Sequence, residues 1–170
     1  YKHISLTGEF FGPLEKLSHS GHVELQGAKF PDLTPLGMVA EWRGRWLDLE
    51  SIQGNITAKN STVAFDGAAK YGTNQMDLRV AELALTQNGE VILHLEKPLA
   101  ISAIQTGQTN FNVSVEPLRL TGKETEFSLD GKIEWPTQGN ISMVARKFSF
   151  SNFGDFFERP LPELFVEQMN

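Results

Sequence analysis

Residues 111–150 read FNVSVEPLRLTGKETEFSLDGKIEWPTQGNISMVARKFSF, and the alternation within them decides the fold. Phe111, Val113 and Val115 alternate with Asn112, Ser114 and Glu116. Leu118 and Leu120 follow, then Phe127, Leu129, Ile133 and Trp135, then Ile141, Met143 and Ala145, with Phe148 and Phe150 beyond. Successive side chains of an extended chain point to opposite faces, so each run has one apolar and one polar face. Gly, Pro or charged residues cut the runs apart, which makes the stretch a meander of half-buried strands. Its apolar face either closes on itself as a sandwich core or stays partly open as a trough, and periodicity does not separate the two.

The same pattern extends towards the N-terminus. Residues 2–11 carry Ile4, Leu6 and Phe10 on one face and stop at Gly12-Pro13, and residues 14–17 are too short to assign. After the Ser20-Gly21 break a strand over 22–29 carries Val23 and Leu25. Residues 30–37, with Pro31 and Pro35, read as a loop or crossover. Residues 38–46 read as a strand bearing Trp42 and Trp46, and Leu47, Leu49, Ile52 and Ile56 continue the alternation through Gly54. Met76, Leu78 and Val80 form a further strand, and Leu83 and Leu85 the next. Asn88-Gly89 is the strongest hairpin signal in the chain, with Val91, Leu93 and Leu95 pairing back from it. Pro98 confines 99–104 to a strand start or an edge.

A loose phrase recurs: ISLTGEF at 4–10, VELQGAKF at 23–30, VAFDGAAKY at 63–71, LRLTGKETEF at 118–127 and FSLDGKIEW at 127–135. Each has two apolar residues two apart, then a Gly, then an aromatic. Gly inside a strand marks a bulge, a bend or a close backbone approach, so its recurrence suggests strands that curl at one height. The last twenty residues change character. Phe153, Phe156, Phe157, Leu161, Leu164, Phe165 and Val166 fall at mixed helical spacings around Pro160 and Pro162, predicting one or two short helical turns that cap the apolar face or cover an edge.

A chain of 170 residues suits a single β-rich domain spanning 1–170. Its 15 basic and 21 acidic residues give a net charge of −6 with no basic stripe, which argues against nucleic acid as a partner. The absence of Cys excludes a disulfide scaffold and thiol catalysis. The chain opens inside a strand, without an initiator Met or an apolar run of membrane-spanning length, so a piece of a longer protein is expected, with any membrane anchor outside it.

Residues able to do chemistry are few. His19 and His22 are three apart in what reads as a loop and lack a third donor nearby, so no metal or other cofactor is expected. His3 and His94 occupy polar strand positions. Glu124 with Glu126, and Asp48 with Glu50, lie on polar strand faces where solvated carboxylates discourage edge pairing, and no nucleophile elbow, phosphate loop or dinucleotide fingerprint occurs. An enzyme is not expected. Asn55, Asn60, Asn112 and Asn140 stand in Asn-x-Ser/Thr triplets, which a chain rich in these residues produces by accident. Trp42, Trp46 and Trp135 form either core packing or a sugar-stacking platform.

Four stretches carry a resemblance: LDLESIQGNITAKNSTVAFDGAAKYG, MDLRVAELALTQNGEVILHLEKPLAI, FNVSVEPLRLTGKETEFSLDGKIEW and NISMVARKFSFSNFGDFF. Their order from Val23 to Phe157 resembles the TamB family of the AsmA-like superfamily, on pattern rather than on any single residue. The resemblance implies a β-taco, a long curved antiparallel sheet folded lengthwise around an apolar groove. It implies a periplasmic segment of a bridge anchored in the bacterial inner membrane, conducting phospholipid to the outer membrane. It also implies a link to outer-membrane protein assembly with a TamA-type β-barrel partner bound by regions outside this segment. About a dozen strands spaced at roughly 4.8 Å would give a trough on the order of 50–60 Å long.

The expected lipid-binding wall begins with Ile4, Leu6, Val23, Leu25, Leu47, Leu49, Val63, Phe65, Leu78, Val80, Leu83, Leu85, Val91 and Leu93. It continues with Phe111, Val113, Val115, Leu118, Leu120, Phe127, Leu129, Ile133, Ile141, Met143, Phe148 and Phe150. The same residues serve equally as an ordinary dry core. The alternative functions are a carbohydrate-binding or adhesive β-sandwich or solenoid, with solvent-facing coplanar tryptophans, and a structural module without a ligand.

Overall fold

A computed structural model describes residues 1–159, 161 and 165–169. The alternating runs become twelve strands: β1 (His3–Phe11), β2 (Ser18–Ala28), β3 (Leu36–Arg45), β4 (Asp48–Ala58), β5 (Ser61–Tyr71), β6 (Gln75–Gln87), β7 (Glu90–Leu95), β8 (Leu99–Gln105), β9 (Phe111–Thr121), β10 (Glu126–Trp135), β11 (Gln138–Ser149) and β12 (Phe165–Met169). They form a single antiparallel sheet in chain order, the meander expected from the pattern. β7 and β8 share one place in it: β6 pairs β7 over residues 84–87 and β8 over residues 75–80, and β9 receives both on its other side. The sheet therefore has eleven rungs.

Local chemistry sets the turns. Asn88 and Gly89 hold φ of 52° and 85°, the double left-handed geometry that matches the twist of a two-residue hairpin. Pro98 immediately precedes β8, where its missing N–H removes no ladder bond. Four expectations are corrected. Met76, Leu78 and Val80 share one continuous strand, β6, with Leu83 and Leu85 and do not form two. β2 begins at Ser18, so the two histidines lie in a strand and not a loop. Trp46 and Leu47 form the β3–β4 turn. The helical reading of the last twenty residues holds for a 3₁₀ segment over Phe150–Phe156, whereas residues 165–169 add β12 to the edge of β11. Pro160, Pro162 and Leu164 lie outside the described residues.

The 3₁₀ segment fixes the shape of the sheet. Seven inter-strand steps separate β11 from β3, so a flat sheet would hold them about 34 Å apart. Seven residues link Ser149 to Phe156, whose carbonyl accepts from the Thr34 backbone N–H at 3.1 Å just ahead of β3. At about 2 Å per residue this 3₁₀ chain spans only about 14 Å. The sheet must curl, and the segment crosses the inside of the curl. Phe153 and Phe156 of that segment pack on Leu85, Leu93, Ala145 and Phe148, so the apolar face is the concave one. The trough is accordingly shorter than a straight stack of the same strands.

The trough stays open. The accessible surface is 11669 Å², against roughly 8300 Å² expected for a compact monomer of this mass, 18.9 kDa. An ordinary sandwich, with both sheets' inner faces covered, would not carry that excess.

Gly21 illustrates how closely side chains approach the backbone on the concave face of β2 and β3. It pairs with Trp42 across β2 and β3, and the Trp42 indole occupies the space where a Gly21 side chain would begin. Gly21→Ala is expected to cost about 1–3 kcal/mol through overpacking. Gly154→Ala, where a methyl group meets nothing within 4 Å, is expected to stay within about 0.5 kcal/mol of the parent. Urea unfolding of the two variants checks the difference.

Candidate functional site

Residues opposite one another on adjacent strands share a face, so the register of the sheet shows how the apolar residues line up. One row runs Ile4, Leu25, Met38, Ile56, Val63, Leu85, Leu93 across seven strands. The next runs Leu6, Val23, Ala40, Gly54, Phe65, Leu83 and resumes as Leu95, Leu120, Phe127, Ala145. Beyond it lie Leu49, Ala69, Leu78, Ile101, Val115, Gly131, Ile141, and then Met76, Ala103, Val113, Ile133. Leu118, Leu129 and Met143 form a shorter row, and Phe111 faces Trp135 near the opposite end of the strands. These rows make a continuous apolar lining with no charged side chain in it.

Of the other expected wall residues, Val80 faces inwards on a row with Gly67 and Leu99 and Phe148 packs in the buried cluster, and three depart from the lining. Leu47 is exposed in the β3–β4 turn. Val91 pairs with Thr86 across a register shift, which turns it to the convex face while Leu93 stays inside. Phe150 belongs to the 3₁₀ segment and meets Phe148 edge-on at 5.3 Å between ring centroids. Met38, Leu99, Phe153, Phe156 and Phe157 line the interior as well. The alternation signals Met38 and Leu99, and the Phe cluster signals the other three; none signals its partner across the sheet.

Water reaches the lining unevenly. Leu85, Leu93, Ala145 and Phe148 are buried, whereas Leu6 at one lip is 68% exposed and Ile141 near the other is 59% exposed. The dry end lies under the 3₁₀ segment, which we call the cap. There Phe148 stacks tilted on Phe127 and Phe153 at 5.2 and 6.2 Å between ring centroids. Leu36, Ile56 and Val63 on the floor, with Phe150, Phe153, Phe156, Phe157 and Leu161 above them, border an open apolar cleft of about 470 Å³. No polar residue lines it.

Polar bonds at its rim hold the cap down. Thr34 and Ser61 are the buried polar residues among those described, and both hydroxyls donate to Asp155: Thr34 Oγ1 to its carbonyl and Ser61 Oγ to its carboxylate, each at 2.7 Å. The Glu158 backbone N–H donates to the Asp32 carbonyl at 3.0 Å, and Leu33 bridges Phe157. The Ser61 hydroxyl, then Gln87, the Asn60 backbone and Lys59, hold the Asp155 carboxyl below the ordinary carboxylate range against a weaker opposing effect of burial.

The remaining candidates separate. His19 and His22 are on opposite faces of β2: His19 Nε2 lies 3.2 Å from the Trp46 carbonyl, and His22 Nδ1 lies 3.4 Å from Glu41. Glu124 pairs with Lys147 at 2.8 Å, Glu126 with Arg146 at 3.5 Å, and Asp48 accepts from the Tyr71 backbone N–H. Among the described residues no three His, Asp or Glu gather in metal-binding geometry. Trp42 faces the trough, Trp46 sits in a turn, and Trp135 lies six rungs from Trp42 on β10, so the three share no platform. Among known proteins, no family model, no curated protein and no solved structure matches this chain.

The depressed Asp155 value gives the cap a defined response to acid. A carboxyl lowered on folding contributes stability that is complete above its unfolded value of about 3.9 and is lost as pH falls through the folded value. The cap is therefore expected to be fully docked at neutral pH and to loosen only below about pH 4. Hydrogen exchange of residues 150–158, measured from pH 6 to pH 3, should show this acid-induced opening in the parent. In Asp155→Asn the segment should exchange faster at pH 6 and respond far less to acid.

Proposed function

We propose that this chain is a segment of a TamB-type bridge across the bacterial envelope, whose concave face shields phospholipid acyl chains between the inner and outer membranes. It works in the periplasm, with the inner-membrane anchor and the surface for a TamA-type β-barrel partner on other parts of the protein. The observation that carries this reading is the continuous apolar lining of a sheet that remains open. Each methylene removed from water by such a lining contributes about 0.8 kcal/mol, and the contribution needs no directional contact. A surface of that kind holds an alkyl chain and still lets it slide. It offers no group to perform chemistry on the lipid, in keeping with passage rather than turnover.

The polar convex face fits an aqueous compartment. Glu41, Gln53, Asp66 and Glu82 stand opposite one another along it, and His94, Thr121, Glu126 and Arg146 continue it across the later strands. One face for water and one for hydrocarbon is what a conduit between two membranes requires.

Native mass spectrometry of protein purified without detergent, followed by lipid extraction, tests the proposal. The parent is expected to carry phospholipid. Val113→Asp and Leu129→Asp place a charge in the middle of the lining, where it is costly to an acyl chain. Both positions are only half-buried, so both variants are expected to keep the parent circular dichroism spectrum and to lose the lipid. A lipid-free parent that also takes up no fluorescent fatty acid would sink the proposal.

A further inference from the structure

The two ends of the trough differ, and the capped end has properties of its own. Its cleft has a floor from β3, β4 and β5 and a roof from the cap, with no polar residue in either. The nearby buried hydroxyls are already spent: Thr34 and Ser61 both donate to Asp155. An occupant would find no hydrogen-bond partner inside.

That chemistry discriminates among occupants. A peptide segment brings a backbone N–H and C=O with every residue, and each one left unpaired in an apolar site carries a free-energy penalty. A helix, about 10–12 Å across, does not fit beneath a docked cap. A lipid headgroup would face the same unpaired burial as a peptide. An unbranched alkyl chain has no polar atom to satisfy, and about 470 Å³ lies within the range of small-molecule sites, roughly 300–1,000 Å³. Only the methyl end of a chain suits both the lining and the space.

We infer that the cleft between the cap and the floor of β3–β5 is a binding site for the methyl end of a single aliphatic chain, which enters tail-first with its polar end towards the open trough. This rests on the acyl-chain reading of the trough and adds a fixed orientation to it. Because four phenylalanines of the site belong to the cap segment and the residue after it, the site is complete only while the cap is docked, to which the Ser61–Asp155 bond contributes beside the backbone bonds at Thr34 and Glu158. A chain sliding along the trough is slowed there by the apolar contacts that the cap phenylalanines add to the floor.

Nitroxide-labelled stearic acids test this on the isotope-labelled parent protein. A label near the methyl end is expected to broaden the Ile56 and Val63 methyl signals, and a label near the carboxylate is expected to broaden Val113 and Ile133 instead. Asp155→Ala is expected to weaken stearate binding about tenfold and to abolish the broadening at Val63. The proposal is overturned by equal or reversed broadening from the two labels. It is equally overturned if Asp155→Ala retains parent affinity, or if a hydrophobic peptide occupies the site in competition with stearate. Stearate bound only beside Val113 and Ile133 would remove the tail site and leave the acyl-chain trough standing. Stearate bound nowhere would remove both.

Discussion

The structure depends on register. Side chains in a strand repeat every two residues, so a slip of one residue between neighbours would carry a whole apolar set from the concave to the convex face. Across eleven rungs the apolar residues nevertheless meet their counterparts. The chain achieves this by local correction: register shifts fall at Leu25/Ala28, Arg43/Gly44, Leu49/Ile52, Asp66/Gly67, Leu85/Thr86 and Leu129/Gly131. Each shift changes the count of residues on one strand against its neighbour and bends the sheet locally; all but the one at Leu85/Thr86, which turns Val91 outwards, return the next apolar side chain to the inside. The curl that makes the trough and the alignment that lines it thus have one origin. Lys147, with φ of 45°, makes a similar adjustment within β11, letting Ala145 and Phe148 both face inwards although they are three residues apart.

Covering one end and leaving the rest open divides the energetics. The capped end holds the cluster of Leu85, Leu93, Ala145 and Phe148 with the cap phenylalanines against it, and resembles the core of an ordinary domain. Elsewhere the sheet is held by its hydrogen-bond ladder and by cross-strand pairs with one face wet. An open apolar face is a liability for a solitary protein, since it invites association. It is an advantage where the ligand is itself hydrocarbon. The cap also links sequence-distant parts: residues 32–34, 59–61 and 155–158 meet there, so the two ends of the sheet are joined by a few polar bonds around one carboxylate.

Much of this was legible in the chain. Alternation of two gave nearly every strand and the apolar face, because a side chain's direction in a strand is a local property. Asn88-Gly89 and Pro98 acted as their backbone geometry requires. The Gly phrase was legible only in part. Gly8 and Gly67 lie in one cross-strand row and Gly131 lies close to it, whereas Gly27 and Gly122 sit by the capped end, where strands finish. Val91 was misplaced because the bulge that turns it outwards arises from pairing with Thr86, which no local pattern records. The cap was visible as a cluster of phenylalanines, but its latch was not. Thr34, Ser61 and Asp155 are ordinary polar residues in sequence, and only the curl of the sheet brings them together across more than ninety positions.

The interrupted rung has a mechanical meaning. Between β6 and β9 the sheet is carried by two short strands placed end to end, and β7 holds β9 through only His94 and Leu95. The break at residues 96–98 falls midway along that rung, where the Glu96 backbone N–H donating to the Arg119 carbonyl at 2.9 Å links it to β9, so pairing is sparsest along one line, with β1–β6 on one side and β9–β12 on the other. A sheet bends most readily where fewest hydrogen bonds oppose it. The two walls of the trough therefore meet along one line of sparse pairing on the floor and are tied again across the inside by the 3₁₀ segment.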